Sequence, residues 1–253
     1  TPLYSSAASD VYKRQGLRRR VRKLGRGVAS VVLFGGLALF AGERYLPMDY
    51  WLADQRTATG EQRTLRLADG TVINLNTHSA LDVRFDEKQR RIVLQEGEIL
   101  IETGHNDSRP FIVETRDGRM RALGTRFLVK REDQGTRLGV LQSAVAARPQ
   151  AGQDEQVFKE GQQVLIRRDG LGPLQALNLG ADAWTRGMLV VDNARLGDLI
   201  DELGRYRRGH LGVAPEVADL RITGSFPLQD TDLALNALPV SYTHLRAHET
   251  RED

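Results

Sequence analysis

Two periodicities divide the chain. Between Gln62 and about Arg168, apolar residues recur at every second position or run unbroken over strand lengths, and Gly or Asp punctuates the gaps. Thr71–Leu75, Ala80–Phe85 and Arg91–Leu94 carry the pattern most clearly; Glu98–Glu102, Phe111–Glu114, Thr125–Lys130, Arg137–Leu141 and Gln163–Ile166 continue it. Successive side chains of a strand point to opposite faces, so a period of two predicts strands. The pairs Asp69-Gly70, Glu96-Gly97, Asp117-Gly118, Glu160-Gly161 and Asp169-Gly170 predict turns. Many short strands with few helical windows predict a mainly β domain, either a sandwich, a barrel or a solenoid, and no strict repeat chooses among them.

The period changes near Trp184. Met188–Val191 reads as a strand, and Asp192 or Asn193 is expected to cap the helix after it. Leu196, Leu199, Ile200 and Leu203 then fall at i, i+3, i+4 and i+7, the apolar stripe of an amphipathic helix. Gly209–Val213 and Arg221–Phe226 predict two more strands, and Asp230 or Thr231 opens a second helix through Leu233, Leu235 and Leu238. The β-α-β-β-α order predicts a small α+β module over 184–238 that stops before its last strands.

A third pattern lies upstream. Arg18, Arg19, Arg20, Arg22, Lys23 and Arg26, within a basic segment 16–26, run directly into an apolar stretch from Gly27 to Gly42. As a helix that stretch covers about 24 Å, against about 30 Å of hydrocarbon core. Extended through Leu46, with Glu43 and Arg44 snorkelling at the far interface, 27–46 predicts a transmembrane helix ended by Pro47. The basic flank places the N-terminus in the cytoplasm and the bulk of the chain across the membrane. The competing reading is a cleaved signal peptide, but Leu39 stands where a small residue is expected in Leu39-Phe40-Ala41.

Composition narrows the chemistry. The 253 residues contain no Cys, which excludes disulfides, a thiol nucleophile and cysteine metal sites. The net charge is +3 and the sequence pI about 9.3, but much of the excess sits before the span and later charges are interspersed, so no nucleic-acid partner is expected. Residues 1–15 and 239–253 resemble translated sequencing-adapter read-through and are set aside from fold reasoning. That also sets aside His244, His248 and Glu249, which would otherwise mimic a metal-binding helix face.

Four segments then appear in order: Leu65 to Asn76, Val93 to Glu98, Phe111 to Thr115 and Arg121 to Val129. Together they resemble the FecR family of iron-transport regulators, single-pass inner-membrane proteins of Gram-negative bacteria. The resemblance implies a FecR-like β domain over 50–178. It likens 184–238 to the family's C-terminal module, related to the signalling domain of secretins and TonB-dependent receptors. The implied function is a transmembrane relay from a siderophore-loaded TonB-dependent outer-membrane receptor to an extracytoplasmic-function sigma factor. The implied partners are that sigma factor, the receptor's periplasmic signalling domain and the membrane. The family's sigma-binding domain would precede Gly16, where this chain carries adapter-like sequence. A membrane-anchored periplasmic binding or assembly scaffold is the other function carried forward.

No nucleophile elbow, metal motif or phosphate loop supports a hydrolytic enzyme, and no cofactor is implied. The resemblance does single out Gly124-Thr125, since a Gly-Thr bond is a self-cleavage point in some family members; a Thr hydroxyl can attack the preceding carbonyl in an N-to-O acyl shift. The alternative is a glycine that permits a bulge before a strand. His78, His105 and His210 are expected to be surface or turn residues, and Asp69, Asp117 and Asp169 to serve their turns.

Overall fold

The computed structural model describes residues 48–104, 107–152, 154–238 and 247–248. The basic cluster, the predicted span and His105 lie outside them, and among the described residues no helix is long and apolar enough to cross a membrane. A short helix, α1 (Met48–Leu52), is followed by β1 (Gln55–Arg56), β2 (Arg63–Arg66), β3 (Val72–Leu75), β4 (Ala80–Phe85), β5 (Arg90–Glu96), β6 (Glu98–Glu102), β7 (Phe111–Glu114), β8 (Gly118–Ala122), β9 (Arg126–Glu132), β10 (Gly135–Gln142) and β11 (Ala144–Pro149). Then come β12 (Gln156–Lys159), β13 (Gln162–Arg167), β14 (Gly170–Leu171) and β15 (Gln175–Ala176). A 3-10 turn at Ala183–Arg186 leads into β16 (Met188–Arg195), α2 (Leu196–Gly204), β17 (His210–Leu211), β18 (Arg221–Pro227), α3 (Thr231–Asn236) and β19 (Ala247–His248).

Of the architectures the pattern left open, the structure adopts a sandwich of two sheets. One sheet has the order β1-β4-β5-β7-β8-β11-β12, and the other runs β14-β13-β10-β9-β6-β3-β2 with β15 paired to β13. Every ladder is antiparallel except β5 with β7, which is parallel because the chain visits the other sheet in between. The inward residues of both sheets, among them Ile73, Leu94, Ile101, Phe111, Phe127 and Ile166, share one buried core. One end of that core is closed by Arg90, whose guanidinium lies 5.4 Å from the Phe111 ring centroid and 2.8 Å from the Asp69 carboxylate. Asp69 also accepts from the Thr71 amide and hydroxyl, so this turn aspartate is structural.

Two of the changes between sheets take a single residue each. Gly97 alone separates β5 from β6, and Ser143 alone separates β10 from β11. Both have positive φ, 84° at Gly97 and 65° at Ser143, which turns the backbone sharply enough to leave one sheet and enter the other. At Gly97 an added Cβ would stand 2.5 Å from Ser79 Cα and 2.6 Å from the His78 carbonyl, so only glycine fits.

The α+β module departs from expectation at its first helix. Neither Asp192 nor Asn193 caps it: β16 continues to Arg195, with a bulge between Val191 and Ala194 and Asn193 at φ 49°. The Asp192 carboxylate is engaged elsewhere, accepting from the Thr223 hydroxyl, which in turn accepts from the Asn193 backbone N–H. The free amides of Leu196 and Gly197 instead donate to the carbonyls of Leu220 and Ala218. Asp230 does cap α3, accepting from the Leu233 amide at 2.8 Å. The expected strand Gly209–Val213 shortens to β17, which pairs with β19.

Two substitutions separate the crossings. Gly97→Ala is expected to lower stability by about 2 kcal/mol or more, from a left-handed alanine plus backbone overlap. Ser143→Gly is expected to be neutral or to stabilise by up to about 1 kcal/mol, because it relieves φ strain. Urea unfolding of both variants beside the parent checks each sign.

Candidate functional site

At β6 and β9 the eight-stranded sheet is buried on both faces. Ile99, Ile101, Phe127 and Val129 point into the sandwich, while Leu100 and Leu128, cross-strand partners on β6 and β9, point out of it. Gly139 pairs with Leu128 on the next strand and keeps the outward surface low there. Onto this patch the module lays Leu196, Leu199, Ile200 and Leu203 of α2, together with Trp184, Tyr206 and Phe226, in a second core that includes Leu100 and Leu128.

A polar seam borders the patch. Glu98 on β6 stands opposite Lys130 on β9, and Arg205 donates to Glu98 at 3.0 Å. Glu202, one helical turn before Arg205, pairs with it and takes Lys130 at 2.6 Å. Asn76, just past β3, donates to Glu98 at 2.9 Å and to the Tyr206 hydroxyl oxygen at 2.7 Å; the Tyr206 hydroxyl in turn lies 3.0 Å from Asn76 Oδ1. Thr77 donates to the Arg205 carbonyl, and Gln62 bridges Asn76 and the Trp184 carbonyl. Further along, Arg126 on β9 reaches Asp182, just before the module, at 2.7 Å.

The charges of this seam reinforce one another. Burial alone would push the Glu202 carboxyl up, but Arg205 and Lys130 outweigh it and hold its pKa below the ordinary value. Burial would likewise lower the Arg205 guanidinium, yet the Glu202 and Glu98 carboxylates raise it. The Tyr206 hydroxyl is pushed up by burial and then by the same two carboxylates, so it stays protonated and can donate. Beside the seam lies a cleft of about 300 Å³, lined by Gly139, Gln163, Leu177, Trp184, Val190 and Glu202 among others. The indole N–H of Trp184, buried in this wall, has no hydrogen-bond partner among the described residues.

The predicted self-cleavage pair occupies the β8–β9 connection, directly before the strand that carries Arg126, Leu128 and Lys130. Gly124 is exposed with φ 78°, and an added Cβ there would meet nothing within 4 Å, so backbone angle rather than space calls for glycine. Thr125 is 4 % exposed. Its amide donates to Thr103 Oγ1 at 2.9 Å, and its carbonyl accepts from the Thr103 amide at 3.1 Å and the Thr103 hydroxyl at 3.2 Å. The Thr125 hydroxyl itself has no partner among the described residues.

The remaining predicted residues do not assemble. His78 lies at the turn before β4 and His210 on β17, and among the described residues no group of acidic or histidine side chains could hold a metal ion. The seam residues Asn76, Glu98, Lys130, Glu202, Arg205 and Tyr206 were not singled out from the sequence. One local signal for them exists, the Glu202–Arg205 spacing of three on a helix.

Glu202→Gln is expected to lower stability by about 1–3 kcal/mol, because it leaves Lys130 and Arg205 short of a carboxylate. The sign of the acid dependence follows from the depressed pKa: the seam's contribution is complete above the ordinary Glu value of 4.5 and fades as pH falls below it. Urea midpoints between pH 8 and 3 should be flat above about pH 5.5, then fall, and fall less steeply in the variant.

Residues 53–146 match the family model described as FecR protein. Among curated proteins none matches the chain. Two crystal structures of a candidate anti-sigma factor from Parabacteroides distasonis, at 1.65 Å and 2.50 Å, share the fold, with TM-scores of 0.61 and 0.60. Each is 23% identical over 73% of this chain, and the match spans 89% and 88% of those chains respectively. The matched segment, which takes in the Asp69 turn, the Gly97 crossing and the Gly124-Thr125 turn, is similar to the FecR family.

Proposed function

We propose that this chain is the extracytoplasmic part, with its anchor, of a single-pass inner-membrane regulator of an extracytoplasmic-function sigma factor, and that it is governed by the signalling domain of a TonB-dependent siderophore receptor. The observation that carries the proposal is the fixed docking of the module on the FecR sheet through Leu100, Leu128 and the seam. A partner that engages the module acts on a body whose contact with β6 and β9 is already made, so its binding energy can shift the packing of those strands. The family match and the candidate anti-sigma factor fold support the sigma-factor end of the relay. The basic cluster Arg18–Arg26 and the apolar run after it support the anchor.

A second activity has its own supporting observation, the buried, unpartnered Thr125 hydroxyl behind a left-handed glycine. In this reading Thr125 Oγ1 adds to the Gly124 carbonyl carbon and the Gly124–Thr125 C–N bond breaks. The hydroxyl proton ends on the Thr125 nitrogen, leaving an ester and a free amine. Water then hydrolyses the ester to a Gly124 carboxylate and a restored Thr125 hydroxyl. Because β8 stays paired with β11 and β9 with β6, the two pieces remain together after cleavage.

Two experiments test these readings. Leu128→Glu, placed in the natural reading frame in its Gram-negative host, is expected to abolish sigma-dependent reporter induction by the siderophore at unchanged membrane abundance; unchanged induction would count against the relay. Purified parent protein is expected to resolve into two fragments in SDS while eluting as one particle under native conditions, and Thr125→Ala is expected to remain a single chain. A Thr125→Ala preparation that still splits at this bond would remove self-cleavage.

A further inference from the structure

This inference rests on the self-cleavage reading and concerns the group that serves its departing nitrogen. In the β6–β9 ladder the last regular pair is Glu102 with Arg126, and the next position would bring Thr103 against Thr125. In the hydrogen-bonded pairs of an antiparallel ladder, which alternate with non-bonded ones, the two residues exchange amide-to-carbonyl bonds in both directions. Only one of those is made here, from the Thr103 amide to the Thr125 carbonyl at 3.1 Å. In the other direction the Thr125 amide donates to the Thr103 hydroxyl, at 2.9 Å, rather than to a backbone carbonyl.

That exchange alters what the site can do. A carbonyl can only accept, whereas a hydroxyl both accepts and donates. The acyl shift needs the Thr125 nitrogen to gain a proton as its bond to Gly124 breaks. A ladder carbonyl could hold that nitrogen but could not supply the proton. The Thr103 hydroxyl is buried, 4 % exposed, and within hydrogen-bond distance of the reacting nitrogen. Its two contacts to Thr125, one to the amide and one to the carbonyl, also fix the residue that bears the nucleophile while Gly124 stays exposed.

We propose that Thr103 is a catalytic residue of the Gly124-Thr125 cleavage, passing a proton to the Thr125 nitrogen as the acyl group moves to Thr125 Oγ1. The balance closes without a further reagent: the nitrogen takes the Thr103 hydroxyl proton, and Thr103 is reprotonated by the proton that Thr125 Oγ1 releases. Water enters only in the later hydrolysis of the ester.

The test follows fragment formation in the purified full chain by SDS gel and mass spectrometry, with urea midpoints recorded alongside. Thr103→Val, which keeps the shape and removes the hydroxyl, is expected to slow cleavage by about 100-fold, the usual contribution of a positioned acid. Thr103→Ser is expected to stay within about threefold of the parent. If Thr103→Val is folded and cleaves at the parent rate, the role of Thr103 is overturned while self-cleavage stands. If the parent itself does not cleave, the self-cleavage reading fails, and this inference with it. Should Thr103→Val not fold, a proton inventory on the parent decides. Two protons in flight give a bowed dependence of rate on deuterium content, and a linear dependence overturns the relay.

Discussion

The structure depends on one constraint: the outward face of the eight-stranded sheet cannot be left to water. Leu100 and Leu128 sit side by side on it, and each is worth about 1.5–3 kcal/mol when buried. An antiparallel sheet with one wet face would carry polar residues there. This one carries leucines, so α2 has to pack against them. The apolar contact supplies attraction without register, and the surrounding polar groups provide the register: Glu98 and Asn76 on the sheet meet Arg205 and Tyr206 on the module in one hydrogen-bonded arrangement. A shift of one helical position would leave several partly buried charges without partners, a cost that exceeds the apolar gain.

The same strand joins the seam to the Gly124-Thr125 turn. β9 begins directly after Thr125, and its residues alternate between the two cores: Arg126 reaches Asp182, Phe127 enters the sandwich, Leu128 enters the module core and Lys130 reaches Glu202. Any displacement of the module therefore pulls on the strand that follows Thr125, whose amide is held by Thr103. In a two-state view, a partner that favours the displaced module would alter the packing around Gly124-Thr125 without touching it.

Much of the sandwich was legible from period and turn chemistry. Strands such as Glu98–Glu102 and Phe111–Glu114 were placed to the residue, because their apolar positions were unambiguous. β8 was missed because Arg119 and Arg121 flank its single large core residue, Met120, and β11 because its inward positions are only Val145 and Ala147. The assignment of strands to sheets was hidden, since the chain passes between the sheets repeatedly and two of those crossings, at Gly97 and Ser143, take a single residue and resemble ordinary hairpins. The helix cap at Asp192 or Asn193 was misplaced because the competing partner, Thr223, lies on a distant strand. The seam was unreadable for the same reason: Glu98 and Arg205 look like surface charges until folding brings together residues 107 positions apart. One clue was available in the unbroken apolar runs Ile99-Leu100-Ile101 and Phe127-Leu128-Val129, which mark strands covered on both faces.

The central claim is that sandwich and module unfold as one cooperative body. The most direct measurement is urea unfolding of a Trp51→Phe variant, followed in parallel by Trp184 fluorescence, which reports the seam, and by far-UV circular dichroism, which reports the strands. Coincident transitions with one midpoint are the expected result. A Trp184 transition at lower urea, completed while the β signal persists, would show a module that detaches independently and would contradict the account.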